Sequence, residues 1–476
     1  MVLEYKKYVP VLCFLSLLLL SSFNLHVLGS EKSLLSDNNK IISRENVFSV
    51  GNAFANNAIN TTIYRHHGIV TAGNYQYLAF FVDAHRLRII KRDIKSSAAK
   101  PEIFEIPGVY DVSDTHNTIS IGIDRLGYIH LSYAQHGSKL NYRRSKRPLS
   151  ITEWTDEIAM TGLREKQVTY PAFIMPRTNS PKLTANDILF IYRDGRSGNG
   201  DICIKKYNSD SLQWQDIEPC IIVGSEQSPW SSNPYLNHVA IDSSDTIHFS
   251  YVWRTHFLGE KKILNNIGID YAASGDWGET WQTSLGREYR LPITQVNSET
   301  IYAVSPGNNL INQTSSAIDS KDHPHIVYYA NDDNGIPQYQ HVWFNGKKWQ
   351  HSYLSLRTQS FLLHGSGSLD IPISRPEILI DKKDRVYLIY RGDLSQQKMA
   401  VTRFLPPNYD LETSSSKMLW AKDIGYAEPV IDRLRWEQDH ILSMYIQKSG
   451  RASNRDVTKI LHEPAYIVDW DIVNAW

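Results

Sequence analysis

Four segments of the chain, 123–133, 241–251, 318–328 and 380–390, align with one another without a gap. Each opens on Ile-Asp, turns through an Asp or Gly, and closes on a strand ending in Tyr: Tyr133, Tyr251, Tyr328 and Tyr390. A strand end, a tight Asp/Gly turn and a second strand is a hairpin signature. Weaker copies end at Phe81, Tyr192 and Tyr445, so the marker recurs every 52–77 residues from Phe81 onward. Seven units of this size, each holding several short strands, predict an all-β fold, a seven-bladed β-propeller. A sandwich would not repeat so evenly, and a solenoid would use shorter units. Length alone, at 476 residues, would suggest about three domains of ~150 residues. The repeat overrides that and predicts a single domain over residues 30–476.

Other signals agree. Tryptophans close several units (Trp154, Trp214, Trp281, Trp349 and Trp420) and are expected to pack between blades. Residues 274–281 read Ser-Gly-Asp-Trp-Gly-Glu-Thr-Trp, an Asp-box, whose Asp and Gly suit a tight turn. It marks a propeller and not a catalytic centre. The 27 Tyr and 12 Trp favour β structure. The 50 basic and 50 acidic residues cancel, which removes the broad electrostatic case for nucleic acid or a membrane surface as partner. A monomer is expected.

Lys6 and Lys7 precede the apolar run 9–20, and small residues follow at Gly29 and Ser30. That order predicts a secretory signal peptide over residues 1–29; the run is shorter than the ~20 residues needed to span a bilayer. Export leaves Cys203 and Cys220 in the mature chain, 17 residues apart, as one disulfide or two buried thiols. Asn60 and Asn312 begin glycosylation sequons, relevant only in a eukaryotic secretory pathway.

The chemistry collects where consecutive blades begin their first strand and end their second, because those two places share a rim. Unit two places Asp114, His116 and Asn117 at its entry and His136 after Tyr133. Unit three places Tyr170 at its entry and Arg193 and Arg196 after Tyr192. Unit four places Tyr235 at its entry and Arg254 after Tyr251. By contrast, His130, His248 and His325 share one repeat position, taken by Tyr387 in unit six, and a position recurring in every blade is structural. His323, His325, His341 and His364 have no recognised metal spacing, and Arg143–Arg147 reads as an exposed turn.

Two His, two Tyr and two Arg on one rim suit a carbohydrate carrying carboxylate or sulfate, since Arg forks bind both bidentately. The reaction this set fits is β-elimination at a uronic acid. An Arg neutralises the carboxylate beside C5, a His or Tyr removes the C5 proton, and a Tyr or His protonates the leaving oxygen. Glycoside hydrolysis would call for a pair of carboxylates.

The run Asp114, His116, Asn117, Asp124, Gly127, His130, Tyr133, His136, Tyr142 and Ser145 resembles the BNR-repeat propellers that include ulvan lyases. Thr169–Pro171, Tyr192-Arg193 leading into Ser197–Asp201, and Tyr235 with Asn237 and His238 leading into Trp253-Arg254 are similar too. The match runs from about His116 to Trp281, with weaker likeness to Tyr445. The resemblance implies a secreted lyase acting on an acidic, sulfated polysaccharide of the ulvan type. His116 would be the base with His136 beside it, Tyr170 the acid or alternate base, and Arg193 the carboxylate neutraliser. Tyr235, Arg254, Asn117 and Arg196 would bind substrate. No cofactor is implied for the chemistry. Relatives often carry His or Cys for a structural metal near residues 265–270; this chain has neither there, which leaves the metal unassigned. A sialidase-like hydrolase and a non-catalytic carbohydrate-binding propeller are the alternatives. Against the first, the chain holds one clear Asp-box and no Arg-Ile-Pro entry.

Overall fold

The computed structural model describes residues 40–96, 99–177, 187–224, 232–256, 259 and 262–476; the expected signal peptide lies outside them. Seven antiparallel sheets follow one another along the chain. Blade 1 holds strands Ile69–Ala72, Tyr75–Asp83, Arg86–Asp93 and Glu102–Pro107. Blade 2 holds Ile119–Ile123, Ile129–Tyr133 and Tyr142–Arg144. Blade 3 holds Val168–Ile174, Leu189–Arg196, Asn199–Asn208 and Gln213–Ile222. Blade 4 holds Asn233–Leu236 and Ala240–Ile241, both paired with Ile247–Arg254, then Asn266–Ser274 and Glu299–Tyr302. Blades 5 and 6 begin at Ser315–Ile318 and Glu377–Ile380. Blade 7 is built from Val430–Ile431, Leu442–Gln447, His462–Trp470 and Asn46–Phe54. The ring therefore closes on both chain ends: the C-terminal strand is third in blade 7, and the N-terminal strand pairs outside it.

The repeat has a direct physical cause. Asp124, Asp242, Asp319 and Asp381 each accept two backbone N–H bonds, at 2.8–3.0 Å, from the turn that follows them. A carboxylate that mimics a backbone acceptor nucleates the turn locally. His130, His248 and His325 direct Nε2 at that same carboxylate, and Tyr387 donates its hydroxyl to Asp381. These residues brace hairpins, as their recurrence implies. The closing aromatics Phe81, Tyr133, Tyr192, Tyr251, Tyr328, Tyr390 and Tyr445 are all buried. Trp214 reaches from blade 3 to the Tyr142 hydroxyl of blade 2, and Trp349 from blade 5 to Ser284 of blade 4, so tryptophans do join neighbouring blades.

In the Asp-box, Ser274 Oγ donates to Asp276 and accepts from the Gly278 N–H, while Trp281 is buried. Cys203 and Cys220 form a disulfide between the third and fourth strands of blade 3. Both sequon asparagines are buried: Asn60 holds the carbonyls of Phe54 and Phe81, and Asn312 accepts from Arg254 at 2.7 Å. Among the described residues no helix is long and apolar enough to cross a membrane.

Candidate functional site

The entry to blade 2 assembles an acid–base pair. The Asp114 carboxylate accepts from His116 Nδ1 at 2.7 Å and from His136 Nδ1 at 2.8 Å. The two imidazoles stack with centroids 4.4 Å apart, and Tyr64 covers the other face of His116 at 5.3 Å. An ionised carboxylate only accepts, so both Nδ1 atoms carry the proton and both Nε2 atoms carry the free lone pair. Burial alone would raise the Asp114 pKa, but the bonds from His116 and His136 outweigh it and hold the group far below the usual carboxylate range. Burial lowers His116 to about 4, with Asp114 partly opposing the shift. His116 is thus a neutral, oriented base at neutral pH.

Blade 3 supplies the next pair. Tyr170 sits in the first strand with φ +54°, a left-handed conformation that is costly for a bulky residue. It lies within the span where the pairing with the second strand shifts register, between Ile191 and Arg193. Its ring centroid is 5.9 Å from that of His116 and 6.4 Å from that of His136. Arg193 is 1% exposed, with its guanidinium carbon 4.8 Å from the Tyr170 ring centroid and 5.5 Å from that of Tyr235. None of its three guanidinium nitrogens makes a well-formed hydrogen bond. Asp194 pairs with Arg164, and Asp201 accepts from the Gly224 N–H, so neither neighbouring carboxylate pairs with Arg193. Gly200 makes room for this placement: a Cβ there would lie 2.7 Å from Arg193 Cδ.

Blade 4 completes this half. Arg254 stands over Tyr235 at 4.2 Å and donates to its hydroxyl at 3.2 Å, to Asn266 at 2.9 Å and to Asn312 at 2.7 Å. Burial pushes the Tyr235 phenol up, but the charges of Arg254 and Arg193 and a bond with Ser197 outweigh it and bring the pKa down to about 8. Burial dominates at Tyr170, which is pushed up to about 12 despite Arg193. Two phenols 6.1 Å apart are therefore set to different acidities.

The structure brings His116, His136, Tyr170, Arg193, Tyr235 and Arg254 together in one run of ring and cation contacts. Of these, His116, Tyr170 and Arg254 line one cavity, and Arg193 lines a smaller one that shares Tyr170 with it. Asn117 is turned to the Asp111 carbonyl at 2.8 Å and braces the entry loop. Arg196 is exposed at the tip of the hairpin, opposite Asn199. The far wall escaped the sequence reading. Tyr64, Arg375 and Glu428 line the same cavity of about 550 Å³ as His116, Tyr170 and Arg254. Arg375 pairs with Glu428 at 3.1 Å, lies over Tyr64 at 5.3 Å and donates to the Asn312 carbonyl. A usable signal existed: Arg375 and Glu428 each precede a Pro at a blade entry, as Tyr170 does. Both carboxylates here are engaged, Glu428 by Arg375 and the Ile63 N–H, Asp114 by its histidines.

A larger cavity of about 880 Å³ opens at the other end of the axis, between first-strand ends such as Ile174, Ile241 and Ile380 and the helix Arg433–Asp439. Its lining is aliphatic at the strand ends but also carries His67, Arg177, Arg433, Glu437 and His440. None of the blade-entry residues singled out by the sequence lines it, whereas His116, Tyr170 and Arg254 line the smaller one. The segment 265–270 does not fit a structural zinc. Asn265 bonds Thr255, Asn266 bonds the Leu310 carbonyl, and Asp270 accepts from Trp253 and Ser298, so amides and one engaged carboxylate stand where nitrogen or sulfur ligands are needed.

Known proteins resemble this chain in sequence and in fold. An ulvan lyase of Alteromonas sp. (strain LOR) is 23% identical over 281 residues, covering 50% of this chain and 52% of that protein. An ulvan lyase of Nonlabens ulvanivorans is 22% identical over 288 residues, covering 54% and 57%. The chain thus spans about half the length of the curated relatives it matches. Among solved structures, a PL25 ulvan lyase bound to -[GlcA(1-4)Rha3S]- superposes with a TM-score of 0.64 at 14% identity, covering 90% of this chain and 98% of that one. The polysaccharide lyase Uly1 gives 0.63 at 15% identity, covering 90% and 99%. These two likenesses are likenesses of fold. The sequence model of the BNR repeat-containing family matches residues 75–356, more than half of the chain, and with seven four-stranded or near four-stranded sheets in a ring behind that match, the chain belongs to the BNR repeat-containing family.

Proposed function

We propose that this chain is a secreted polysaccharide lyase that cleaves ulvan, a sulfated uronate-containing polymer, by β-elimination. The observation that carries the reading is Arg193, a guanidinium buried between Tyr170 and Tyr235 with no well-formed hydrogen bond and no carboxylate paired to it among the described residues. A buried cation left in this state is a receptor for an anion. A uronate carboxylate seated there loses its inhibiting charge, and the charge developing next to C5 is stabilised by a group already in place.

His116 then takes the C5 proton on Nε2. The C4–O bond breaks as the C4=C5 bond forms, and Tyr170, which keeps its proton near neutral pH, supplies it to the departing oxygen. The proton on His116 leaves to solvent and Tyr170 is reprotonated, which restores the site. General acid–base assistance of this kind contributes ~10²–10⁴-fold. Arg254 and Tyr235 bind the neighbouring sugar and its sulfate. The chemistry draws on side chains alone, and the enzyme acts as a monomer. The ulvan lyases among its relatives support the substrate class, and an exported protein meets such a polymer outside the cell.

Incubating the protein with ulvan and following ultraviolet absorbance tests the reading. A lyase generates the unsaturated uronate chromophore. New reducing ends without the chromophore would mean hydrolysis, and binding without either would mean a lectin-like propeller.

A further inference from the structure

Asp114, His116 and His136 do more than orient one another. Among the described residues they form the one group of three whose ligand atoms, one from each side chain, all lie within 4.8 Å. Two imidazole nitrogens and a carboxylate oxygen form the donor set that binds Zn²⁺, Co²⁺ or Ni²⁺, with water in a fourth position. A single carboxylate is too little for Ca²⁺ or Mg²⁺, which need several oxygens. His136 is about a quarter exposed, which leaves a way in from solvent. Two cations face the group: Arg455, 3.8 Å from Asp114, is 61% exposed and free to swing away, and Arg193 lies beyond Tyr170. The Ser368 hydroxyl lies 3.3 Å from His116 Nδ1, and the His116 backbone N–H donates to Asp114 Oδ1 at 3.0 Å.

We propose that Asp114, His116 and His136 bind one divalent transition-metal ion through the carboxylate and both Nδ1 atoms, and that this ion switches the base off. Coordination displaces the two Nδ1–H bonds to Asp114. Each neutral imidazole gives up its Nδ1 proton and takes one on Nε2, with no net change in protonation. The nitrogen that would accept the C5 proton is now an N–H donor. The metal binds behind the rings, so substrate still enters. Only the kinetic consequence rests on the lyase reading; the binding does not.

Titrating metal-free protein with Co²⁺ tests the site without substrate. The expected result is one equivalent bound, with visible bands of a tetrahedral cobalt centre, and affinity at least ~10-fold weaker in Asp114→Ala, the lower bound that even ligand-supporting residues show. Should Asp114→Ala not fold by circular dichroism, the partly exposed His136→Ala replaces it. No saturable equivalent, or equal affinity in wild type and variant, overturns the site. With ulvan, Zn²⁺ should lower kcat while KM stays constant, and EDTA should restore the rate. A rise in KM at constant kcat overturns the Nδ1 placement. Absence of any eliminase activity would count against the proposed function alone, since the cobalt titration still decides the metal site.

Discussion

The guanidinium of Arg193 lies 4.8 Å from the ring centroid of Tyr170, and Tyr170 holds a left-handed backbone, φ +54°, in the strand beside it. A strained aromatic and a buried cation without a well-formed hydrogen bond cost stability in the same few residues. Such costs persist at sites that use them.

Replacing Arg193 should therefore separate function from folding. Arg193→Met removes a buried charge that makes no well-formed hydrogen bond, so the melting temperature should hold or rise. Product formation should fall ~10²–10³-fold, the cost typical of losing one preorganised charge-stabilising donor. Arg193→Lys keeps the charge but loses the planar fork and should recover only part of the rate. Thermal melts alongside initial rates check both halves; full activity in Arg193→Met would remove the residue from the mechanism.

Asp114 sets the tautomer of two histidines at once. In Asp114→Asn the amide can accept from one ring but donates to the other, which turns that ring's Nε2 into a donor. The rate should drop ~10²–10⁴-fold, the range associated with losing a correctly oriented base, while KM changes little. A variant whose kcat stays within a few-fold of wild type would show that tautomer control is not needed.

How much of this could be read from residue order depends on distance along the chain. The turn Asp, the His or Tyr six residues later and the closing Tyr lie within one hairpin, so seven blades were legible. His116, Tyr170, Arg193, Tyr235 and Arg254 sit next to those markers, and their shared rim followed from blade geometry. The other wall was hidden by ring closure. Glu428 receives the Ile63 N–H from 365 residues away, and Tyr64 reaches His116 only because the N-terminal strand docks on blade 7. What Arg193 faces is likewise not written in its neighbours: Arg164 draws Asp194 away and Gly200 makes room for the side chain. Blade 7 takes strands from both chain ends, a pairing that no local pattern marks.

Activity should follow a bell-shaped pH profile. The base His116 must be neutral; with its pKa lowered to about 4, kcat/KM should rise as pH climbs through that value and then level off. Tyr235 ionises at about 8. Its phenolate would neutralise Arg193 and Arg254 and compete with the substrate carboxylate, so kcat/KM should fall above pH 8, chiefly through KM. Tyr235→Phe should erase the alkaline limb and spare the acid one. An alkaline limb that persists in Tyr235→Phe would assign it to another group.

Acid stability should report on histidines far from the site. In blade 5, His325 Nδ1 meets His341 Nε2 at 2.9 Å with neither ring exposed. Burial lowers the pKa of His325 and lowers that of His341 further. Above pH 6.5 both rings are neutral folded or unfolded, and the pair makes no pH-dependent contribution. Below it the unfolded chain gains protons that the native fold refuses, so stability must fall as pH drops. The slope approaches about 1.4 kcal/mol per pH unit for each histidine kept neutral. Urea unfolding between pH 7.5 and 5 should show this loss, and His341→Phe, packed against Trp343 and Tyr409, should flatten it without changing the rate on ulvan. The same steepness in variant and wild type would move the acid sensitivity to another group, with His66 and His67, whose pKa values are also lowered by desolvation, the next to replace.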